Sequence, residues 1–218
     1  MHTAGVHSCA IVVAAGSGAR FGAPKQFLPL RGARVADHAV GAAAAACDEV
    51  IVVLPAEHEW EGPPVMATVV GGATRAESVR AGLAAVPDDA EVVVVHDAAR
   101  PLASARLFAD VVAAVDAGAD AAVPGIPVAD TVKRVDGDRV VETVARDSLV
   151  LVQTPQAFRA DALRAAHAVG AEATDDAGLV EAAGGKVVVV AGDPRNLKIT
   201  TALDLELAAA MLGGGDGS

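Results

Sequence analysis

Short apolar runs rich in Val and Ile recur along the chain, and longer Ala-rich stretches separate them. Runs without polar alternation are typical of parallel strands that are covered on both faces. We predict strands at residues 11–13, 49–54, 66–70, 91–95, 120–123 and 186–191. We predict helices at residues 35–46, 75–86, 105–116, 159–169 and 175–183, and a last helix that begins at Thr201. Strands that alternate with helices at this spacing indicate an α/β fold with a mainly parallel sheet.

Capping residues mark three of the predicted helix starts. Thr74 and Glu77 form a T-x-x-E capping box, in which each side chain bonds a backbone N–H group of the other residue. Ser104 precedes the next helix, and Thr201 with Asp204 begins the last one. We expect the helix after Thr74 to direct its N–H groups and partial positive charge beyond the strand ends.

The pattern changes at residues 128–149, where polar and apolar residues alternate. Asp136-Gly137-Asp138 divides this stretch, and Asp-Gly is a strong signal for a hairpin turn. We therefore predict a β-hairpin arm, after which residues 149–156 return towards the sheet. A two-stranded ribbon is only marginally stable alone, so the arm needs a partner surface. The length favours a single domain, residues 1–218, that carries this arm.

The amino-acid composition argues against several classes of partner and of metal site. The formal charge of -11 argues against a nucleic-acid surface, because that surface needs a basic stripe. No apolar stretch reaches the ~20 residues that span a bilayer, and the first ten residues lack the order of a signal peptide. The two cysteines, Cys9 and Cys47, lack metal-ligand spacing, so we expect a reduced, cytoplasmic setting. The six histidines are scattered and do not indicate zinc.

Candidate chemistry begins in a glycine-rich loop after the first predicted strand. Gly16, Gly18 and Gly22 allow backbone N–H groups to surround an anion, because no Cβ blocks the approach. Arg20 and Lys25 add two cations to the same loop. The loop therefore suits a phosphate chain. The alternative is a strand-to-helix turn that uses glycine for its geometry alone.

Two better-known glycine loops do not fit this stretch. The Walker pattern fails because Lys25 follows Pro24 rather than a glycine. The dinucleotide-binding pattern G-x-G-x-x-G fails because position 21 is Phe. What remains is G-x-G-x-R-F-G-x-P-K-Q, which resembles the loop of nucleotidyltransferases that join a nucleoside triphosphate to a phosphorylated sugar or polyol.

Further candidates follow other predicted strands. Asp97 comes directly after the run at 91–95, where a carboxylate can hold Mg²⁺ against triphosphate oxygens; a capping role is the alternative. Gly72 ends an earlier strand, and Lys198 follows the last one. His96 is interpreted as structural, and Arg100 as a partner of Asp97, a phosphate ligand or a surface residue. Because ligands of parallel α/β sheets bind beyond the carboxyl ends of the strands, this shared edge is the predicted site.

Seven segments occur in a fixed order along the chain: AAGSGARFGAPKQF, GGATRAESVRAGL, VHDAARP, DTVKR, TPQAF, TDDAG and NLKIT. Together they resemble the 2-C-methyl-D-erythritol 4-phosphate cytidylyltransferase family of the non-mevalonate isoprenoid pathway, over nearly the whole chain. HDAARP together with PKQ is the specific part. The glycine loop alone indicates only the broader nucleotidyltransferase superfamily.

The resemblance implies a Rossmann-like nucleotidyltransferase domain and a homodimer made by interlocked β-arms. It implies transfer of a cytidylyl group from CTP to 2-C-methyl-D-erythritol 4-phosphate, giving 4-diphosphocytidyl-2-C-methyl-D-erythritol and pyrophosphate. Mg²⁺ or another divalent cation would bind Asp97, and the catalytic residues would be Arg20, Lys25 and Lys198. The nucleotide- and substrate-binding residues would be Ala14, Ala15, Gly16, Gly18, Gly72, Arg75, Ser78, Ala98, Thr131, Arg146, Thr154 and Thr174. Thr131 and Arg146 would reach the substrate of the partner subunit.

Two places depart from the family pattern. Arg195 occupies a position where some members carry an acidic residue that is proposed as a further metal contact. The identity of a second metal ligand is therefore open, and Asp193 is a nearby carboxylate. Ala73-Thr74 replaces a frequent Asp-Glu pair, so base recognition there would rest on backbone groups.

Two other functions stay open at this point. A ribitol 5-phosphate cytidylyltransferase shares the loop and fold and performs the same chemistry on another polyol. A nucleotide-binding regulatory module without turnover is the alternative from a different class. The four charged residues Arg20, Lys25, Asp97 and Lys198 favour an enzyme, because a mere binder needs no such set around a transferable phosphate.

Overall fold

The computed structural model describes residues 6–16, 18, 21–22, 24–168 and 175–213 of the chain. Its strands are β1 (Ser8–Val13), β2 (Pro29–Leu30), β3 (Ala33–Arg34), β4 (Glu49–Leu54), β5 (Ala67–Val70), β6 (Val92–Asp97), β7 (Ala121–Pro127), β8 (Val132–Asp136), β9 (Arg139–Val144), β10 (Val150–Val152), β11 (Gln156–Arg159) and β12 (Val187–Ala191). Its α-helices are α1 (Val35–Ala44), α2 (Arg75–Leu83), α3 (Ala105–Asp116), α4 (Ala160–Ala168), α5 (Asp176–Ala182) and α6 (Ala202–Gly213).

The main sheet contains eight strands, in the order β10-β7-β11-β6-β1-β4-β5, and β12 also pairs with β7. β1 pairs in parallel with both β4 and β6, β4 pairs in parallel with β5, and β12 pairs in parallel with β7. β10 and β11 run antiparallel to their neighbours. The predicted α/β fold with a mainly parallel sheet is confirmed.

Helices cover both faces of the central strands. Along β1, Ala10 and Val12 pack into a core that includes side chains of α1 and α3. Cys9 and Ile11 point to the other face, into a core that includes side chains of α2, α4 and α5. All four side chains are fully buried. A strand buried on both faces explains why the sequence shows continuous apolar runs rather than alternation.

Some sequence predictions for the strands need correction. β7 extends to Pro127, beyond the predicted end, and the short strand β11 was not predicted. The small hairpin of β2 and β3 was also missed; Arg31 and Gly32 turn it with positive φ angles. The prediction of a last buried strand was wrong about burial, because Val189 of β12 is 55% exposed. β12 hydrogen-bonds along one side to β7, and among the described residues its other side has no paired strand.

The predicted helix caps are confirmed. Thr74 Oγ1 accepts the Glu77 N–H group at 3.1 Å, and Glu77 Oε2 accepts the Thr74 N–H group at 3.0 Å. Ser104 caps α3 by accepting the Leu107 N–H group at 3.2 Å. In α6 the same exchange joins Thr201 and Asp204. These bonds satisfy N–H groups that a helix start leaves without an intrahelical partner.

The predicted hairpin arm is confirmed as a separate two-stranded sheet of β8 and β9. Its register pairs Val132 with Val144 and Val135 with Val140. Val135 and Val140 are both more than half exposed. The arm therefore carries an apolar surface that the described part of its own chain leaves open. None of the helices in the described residues combines the length and apolar character needed to cross a membrane.

Candidate active site

The carboxyl ends of β1 and β6 lie side by side, with Val13 in register with Asp97. The chain continues past both ends without a break in hydrogen bonding: the Ala14 N–H group donates to Val53 O at 2.8 Å, and the Ala98 N–H group donates to Val13 O at 3.1 Å. Ala14 and Ala98 are both buried. The sequence-predicted edge therefore exists, and it brings the start of the glycine loop next to Asp97.

The glycine loop needs glycine at two of its described positions. Gly18 and Gly22 have φ angles of 66° and 82°, in the left-handed region that other residues rarely adopt. The N–H groups of Phe21 and Gly22 both donate to Gly18 O. Gly16 is exposed, and a Cβ there would meet no atom within 4 Å. Arg20, predicted to be catalytic, lies outside the described residues.

Gln26 holds the loop from behind, a role that the sequence analysis missed. Its buried side-chain amide donates to Ala14 O at 2.6 Å and to Gly16 O at 2.9 Å. Gln26 sits in a 3-10 turn, Lys25–Phe27, so the half-buried Lys25 begins the same turn. The PKQ motif contains this glutamine, but no local pattern indicated that its side chain is buried.

The Gly71-Gly72 corner after β5 packs directly against the glycine loop. A Cβ on Gly71 would lie 2.4 Å from the Ala15 Cβ and 2.7 Å from Ser78 Oγ. Ser78 Oγ accepts the Gly72 N–H group at 3.2 Å and donates to Thr74 O at 2.9 Å. Ser78 is buried. The buried hydroxyl therefore fixes the shape of the corner, and only glycine permits its close approach to Ala15.

Asp97 forms bonds with two of the predicted cations. Lys198 Nζ donates to Asp97 Oδ2 at 2.6 Å, and Arg75 Nε donates to Asp97 Oδ1 at 3.1 Å. Burial by itself would raise the pKa of Asp97, but the charges of Arg75 and Lys198 outweigh it and hold that pKa well below its usual range. The carboxylate is therefore ionised at neutral pH.

Arg75 also contacts a second carboxylate that the sequence analysis did not assign. Arg75 Nη1 donates to Asp176 Oδ2 at 2.7 Å, and His167 Nε2 lies 3.0 Å from Asp176 Oδ1. The side chains of Asp176 and His167 are each only 2% exposed. Burial raises the pKa of Asp176, but its hydrogen bond with His167 and the charge of Arg75 lower it further than burial raises it. Asp176 lies in the TDDAG segment, whose sequence gives no sign of this contact.

Thr154 supports Asp97 from inside the protein rather than facing solvent. Its buried Oγ1 accepts the Asp97 N–H group at 3.0 Å and lies 3.2 Å from His96 Nδ1. Asn196 Nδ2 donates to Thr154 O at 2.8 Å. Burial lowers the pKa of His96 to about 4, so the ring is neutral at pH 7. The prediction that His96 is structural is confirmed, since Nε2 lies 3.2 Å from the carbonyl of Arg100.

Backbone contacts place Lys198 beside Asp97. Ile199 is fully buried, and its N–H group donates to Ala99 O at 2.8 Å. Arg100 Nη1 donates to Asn196 O at 2.8 Å, so Arg100 fixes the loop before Lys198 rather than pairing with the carboxylate of Asp97. The NLKIT segment is thus held on both sides of its lysine.

Arg195, which departs from the family pattern, interacts with α6. Its Nη2 donates to Met211 O at 3.3 Å, near the C-terminal end of the helix, where the partial charge is negative. Its N–H group donates to Asp193 Oδ1 at 2.8 Å, so that carboxylate is used within its own loop. Neither residue is directed to Asp97 by these bonds.

The predicted arm residues do not join the site in this chain. Thr131 and Arg146 are exposed, and Arg146 donates to the carbonyl of Ala129. Asp97 and its two partners, Arg75 and Lys198, form what we call the Asp97 cluster. Among the described residues no hydrogen bond or ion pair links Thr131 or Arg146 to this cluster. Thr174, predicted to lie near the substrate, is outside the described residues.

Most ligands of a metal ion at this site would have to come from the substrate rather than from protein side chains. Within the described ranges, no group of three or more His, Cys, Asp and Glu side chains could hold a metal. Asp97 offers one ionised carboxylate at the strand edge. Mg²⁺ is commonly bound by one or two carboxylates together with substrate phosphates, so the residues present fit a cation that arrives with a triphosphate.

The family model, the related sequences and the related structure all match this chain to the same family. The model of the family described as "IspD: 2-C-methyl-D-erythritol 4-phosphate cytidylyltransferase" matches residues 8–214. A protein of that name from Nocardia farcinica is 51% identical over 214 residues, covering 93% of each chain, and one from Saccharopolyspora erythraea is 48% identical, covering 93% of this chain and 98% of the relative. The crystal structure of the Thermus thermophilus protein of that name superposes with a TM-score of 0.82 at 38% identity, covering 93% of this chain and 98% of that one.

Proposed function

The chain belongs to the 2-C-methyl-D-erythritol 4-phosphate cytidylyltransferase family, and from that premise we propose how the site at the edge of the sheet performs the family's reaction. The protein is an enzyme that transfers the cytidylyl group of CTP to 2-C-methyl-D-erythritol 4-phosphate. The products are 4-diphosphocytidyl-2-C-methyl-D-erythritol and pyrophosphate. The ribitol 5-phosphate alternative is not favoured, because the relatives and the structural neighbour carry the methylerythritol name.

The observation that carries the mechanism is the Asp97 cluster beside the glycine loop. A phosphate oxygen of the polyol phosphate attacks the α-phosphorus of CTP in line, and pyrophosphate leaves with the electrons of the broken P–O bond. No side chain becomes covalently attached. The enzyme contributes positioning and charge neutralisation, through Arg20 and Lys25 at the triphosphate and Lys198 at the attacking phosphate.

The nucleotide would lie across the glycine loop and the adjoining Gly71-Gly72 corner. Their close packing through Ala15 supports this placement, because one ligand could then contact both segments. The triphosphate would lie against N–H groups of the loop, and the cytosine would be recognised at the corner. The proposed nucleotide contacts are Ala14, Ala15, Gly16, Gly18, Gly72, Arg75, Ser78 and Ala98. A pyrimidine suits a corner that is tightly packed around a buried hydroxyl, whereas a purine is larger.

Asp97 would hold the divalent cation, Mg²⁺ or another of its class. When bound, that cation supplies positive charge to the triphosphate and so makes its phosphorus easier to attack. Both oxygens of Asp97 are already bonded to cationic side chains, and each oxygen has a further lone pair with which to accept a ligand. The attacking phosphate of the polyol would offer Lys198 an alternative partner in the loaded site.

The arm would complete the site of a second subunit. Exposed valines on β8 and β9 support a homodimer made by two arms, because such a pair would cover apolar surface. Thr131 and Arg146 would then contact the substrate phosphate of the neighbouring subunit. That subunit's own Thr174 would lie near the same substrate, and its Thr154 would act from beneath the site through the bond to the Asp97 N–H group. Residues 1–218 would form one domain with the arm at 128–149. The free, buried Cys9 and Cys47 support a reduced, cytoplasmic setting.

The proposed function is tested by pyrophosphate release with a panel of substrates. CTP with 2-C-methyl-D-erythritol 4-phosphate should give the highest rate, and CTP with ribitol 5-phosphate or with no polyol should give little. ATP, GTP and UTP should be poor replacements for CTP. Turnover with ribitol 5-phosphate at the methylerythritol rate would refute the substrate assignment, and equal turnover with ATP would refute the nucleotide assignment.

A further inference from the structure

Arg75 is shared by two carboxylates that come from distant parts of the chain. Its Nε donates to Asp97 and its Nη1 donates to Asp176, 101 residues further on. Two bonds through separate nitrogens fix both the position and the plane of the guanidinium group. Neither bond uses Nη2, and the side chain remains 31% exposed. The two carboxylates thus fix the guanidinium group and leave the N–H groups of Nη2 out of both bonds.

Asp176 is itself held in one orientation. It is the first residue of α5, it is 1% exposed, and its other carboxylate oxygen lies 3.0 Å from His167 Nε2. Among the described residues, His167 Nδ1 is buried without a hydrogen-bond partner, so the bond with Asp176 determines how the ring is placed. The chain of contacts therefore runs from His167 through Asp176 to Arg75.

We propose that Asp176, oriented by His167, is a positioning residue for CTP that acts by holding Arg75 at the Gly71-Gly72 corner. This inference rests on the proposed function, in which Arg75 contacts the nucleotide. Asp97 alone is a poor anchor for Arg75, because it also accepts a bond from Lys198 at 2.6 Å. The other partner of Asp176 is a histidine whose side chain is 2% exposed, whereas Lys198 is 38% exposed and can turn towards a substrate.

The competing explanation is that the buried pair only stabilises the fold. Breaking a buried ion pair by removing one partner destabilises a protein whether or not the pair has a function. A loss of activity in an Asp176 variant would therefore prove little. The deciding quantity is the affinity for CTP alone, measured on protein that is shown to be folded.

The experiment is a double-mutant cycle on CTP affinity, measured by titration calorimetry without any polyol phosphate. Asp176→Asn should weaken CTP binding about tenfold, as expected for losing one charge-assisted hydrogen bond that places a ligand donor. Arg75→Gln should weaken it at least as much. The variant with both substitutions should bind CTP within about twofold of Arg75→Gln, because Asp176 acts only through Arg75.

Matched controls separate this role from general damage. Asp161→Asn removes another arginine-paired carboxylate, the exposed partner of Arg159, and should leave the CTP affinity unchanged. Thermal unfolding identifies variants that fail to fold. If Asp176→Asn fails to fold, the CTP affinities of two His167 variants test the inference instead. His167→Gln keeps an N–H donor for Asp176 and should retain the wild-type affinity, whereas His167→Leu should lose affinity.

The outcomes distinguish the inference from its premise. If wild-type protein does not bind CTP, the proposed function fails and this inference fails with it. If wild-type protein binds CTP but folded Asp176→Asn and His167→Leu variants bind it equally well, only this inference is wrong. A loss from Asp176→Asn that is just as large in the Arg75→Gln background would also overturn it, because Asp176 would then act without Arg75.

Discussion

Asp97 keeps its charge although it is buried at the end of β6, because two cations and a backbone contact surround it. Its side chain is 12% exposed, and Arg75 and Lys198 each bond one of its oxygens. Thr154 accepts its N–H group from inside the protein. A single residue therefore joins the sheet, the α2 helix start and the loop before α6. Changes at this residue should therefore affect both the chemistry and the stability of the fold.

Asp97→Asn should lower the rate of pyrophosphate release about 10²- to 10³-fold, the range seen when one preorganised electrostatic contact is lost. The amide keeps the shape but supplies no charge to a divalent cation. We expect activity to recover partly as Mg²⁺ is raised, which a Mg²⁺ titration of the rate measures. Asp161→Asn, the control, should leave the rate of pyrophosphate release unchanged. If EDTA leaves the wild-type rate unchanged, the proposal that Asp97 holds a divalent cation is wrong.

Lys198→Ala should lower the rate by a similar factor, because the lysine places a charge where the phosphates react. Its side chain is 38% exposed, so the fold should tolerate the change. Lys186→Ala is the matched control, since that lysine directly precedes β12, before the strand rather than beyond its end. Near-wild-type turnover by the Lys198 variant, with CTP and methylerythritol phosphate both saturating, would remove Lys198 from the catalytic set.

Among the elements, the glycine loop depends on the 3-10 turn at Lys25–Phe27. Gln26 is 4% exposed and bonds two carbonyl groups of the loop, which directs those carbonyls inward. Gln26 thus fixes the course of the loop from its buried side. We expect the N–H groups that make no bond within the protein to face the phosphates of CTP.

Gln26→Ala should raise the KM for CTP at least fivefold while changing the KM for methylerythritol phosphate little, because the loop would lose two hydrogen bonds of about 1 kcal/mol each. Steady-state kinetics with each substrate varied in turn measures both constants. Gln156→Ala does not serve as a control because Gln156 bonds Asp175 near the site. Thermal unfolding of the Gln26 variant shows whether the fold survives. Equal increases in both constants would argue against a role confined to the nucleotide loop.

The start of α6 provides a prediction about pH. Hydrogen bonds from the Thr200 hydroxyl and from the N–H groups of Thr200 and Thr201 lower the pKa of Asp204 to about 2. Because this pKa lies below that of the unfolded chain, the carboxylate stabilises the fold above about pH 4, and the contribution disappears as pH falls towards 2. Asp204→Asn keeps a hydrogen-bond acceptor but loses the negative charge near the helix start, so it should cost about 0.5 to 1 kcal/mol at pH 7.

Urea unfolding between pH 8 and pH 3 tests the Asp204 prediction. The difference in stability between wild type and Asp204→Asn should be constant down to pH 5 and should shrink below pH 4. Asp193→Asn is the comparison, because Asp193 is a carboxylate in a loop, outside any helix, that accepts the Arg195 N–H group. A difference that stays constant to pH 3 would mean that the charge of Asp204 is not its source.

Local patterns in the sequence predicted most helices and strands, but they could not predict contacts between residues that are far apart in the chain. β4 was predicted with its observed bounds because EVIVVL is apolar on both faces, and α2 because Thr74 and Glu77 lie three residues apart. The bond between Arg75 and Asp176 joins residues 101 positions apart, so no local pattern contains it. The exposure of Val189 depends on which strand lies at the sheet edge, and its apolar run carries no such information.

At the scale of the whole molecule, charge is distributed unevenly. The chain has a formal charge of -11, yet Arg75, Lys198 and Arg100 all lie around the end of β6. Asp97 and Asp176 offset two of these three positive charges, so the five side chains together keep a small excess of positive charge. A local excess of this kind can attract anionic substrates even on an acidic protein. CTP and a polyol phosphate are both anions, so the local field matters to them more than the net charge.

The arm concerns assembly as well as the site. Val135, Val140 and Val141 are each more than half exposed on a two-stranded sheet that lies apart from the main sheet. A two-fold pair of arms would cover this surface and close on itself without growing into a filament. Arg146 is exposed on the same segment, and its planar group suits bidentate binding of phosphate oxygens. We therefore expect each site to use Arg146 from the partner subunit.

Mixing two inactive variants tests whether sites are shared. If Lys25 and Arg146 of one site come from different subunits, a heterodimer of Lys25→Ala and Arg146→Ala chains has one site with both changes and one intact site. Half of randomly mixed dimers are heterodimers, so about one quarter of the wild-type activity should return. If both residues of a site come from the same subunit, every site carries one change and no activity returns. Subunit exchange confirmed with differently tagged chains, without recovery of activity, would exclude the shared site.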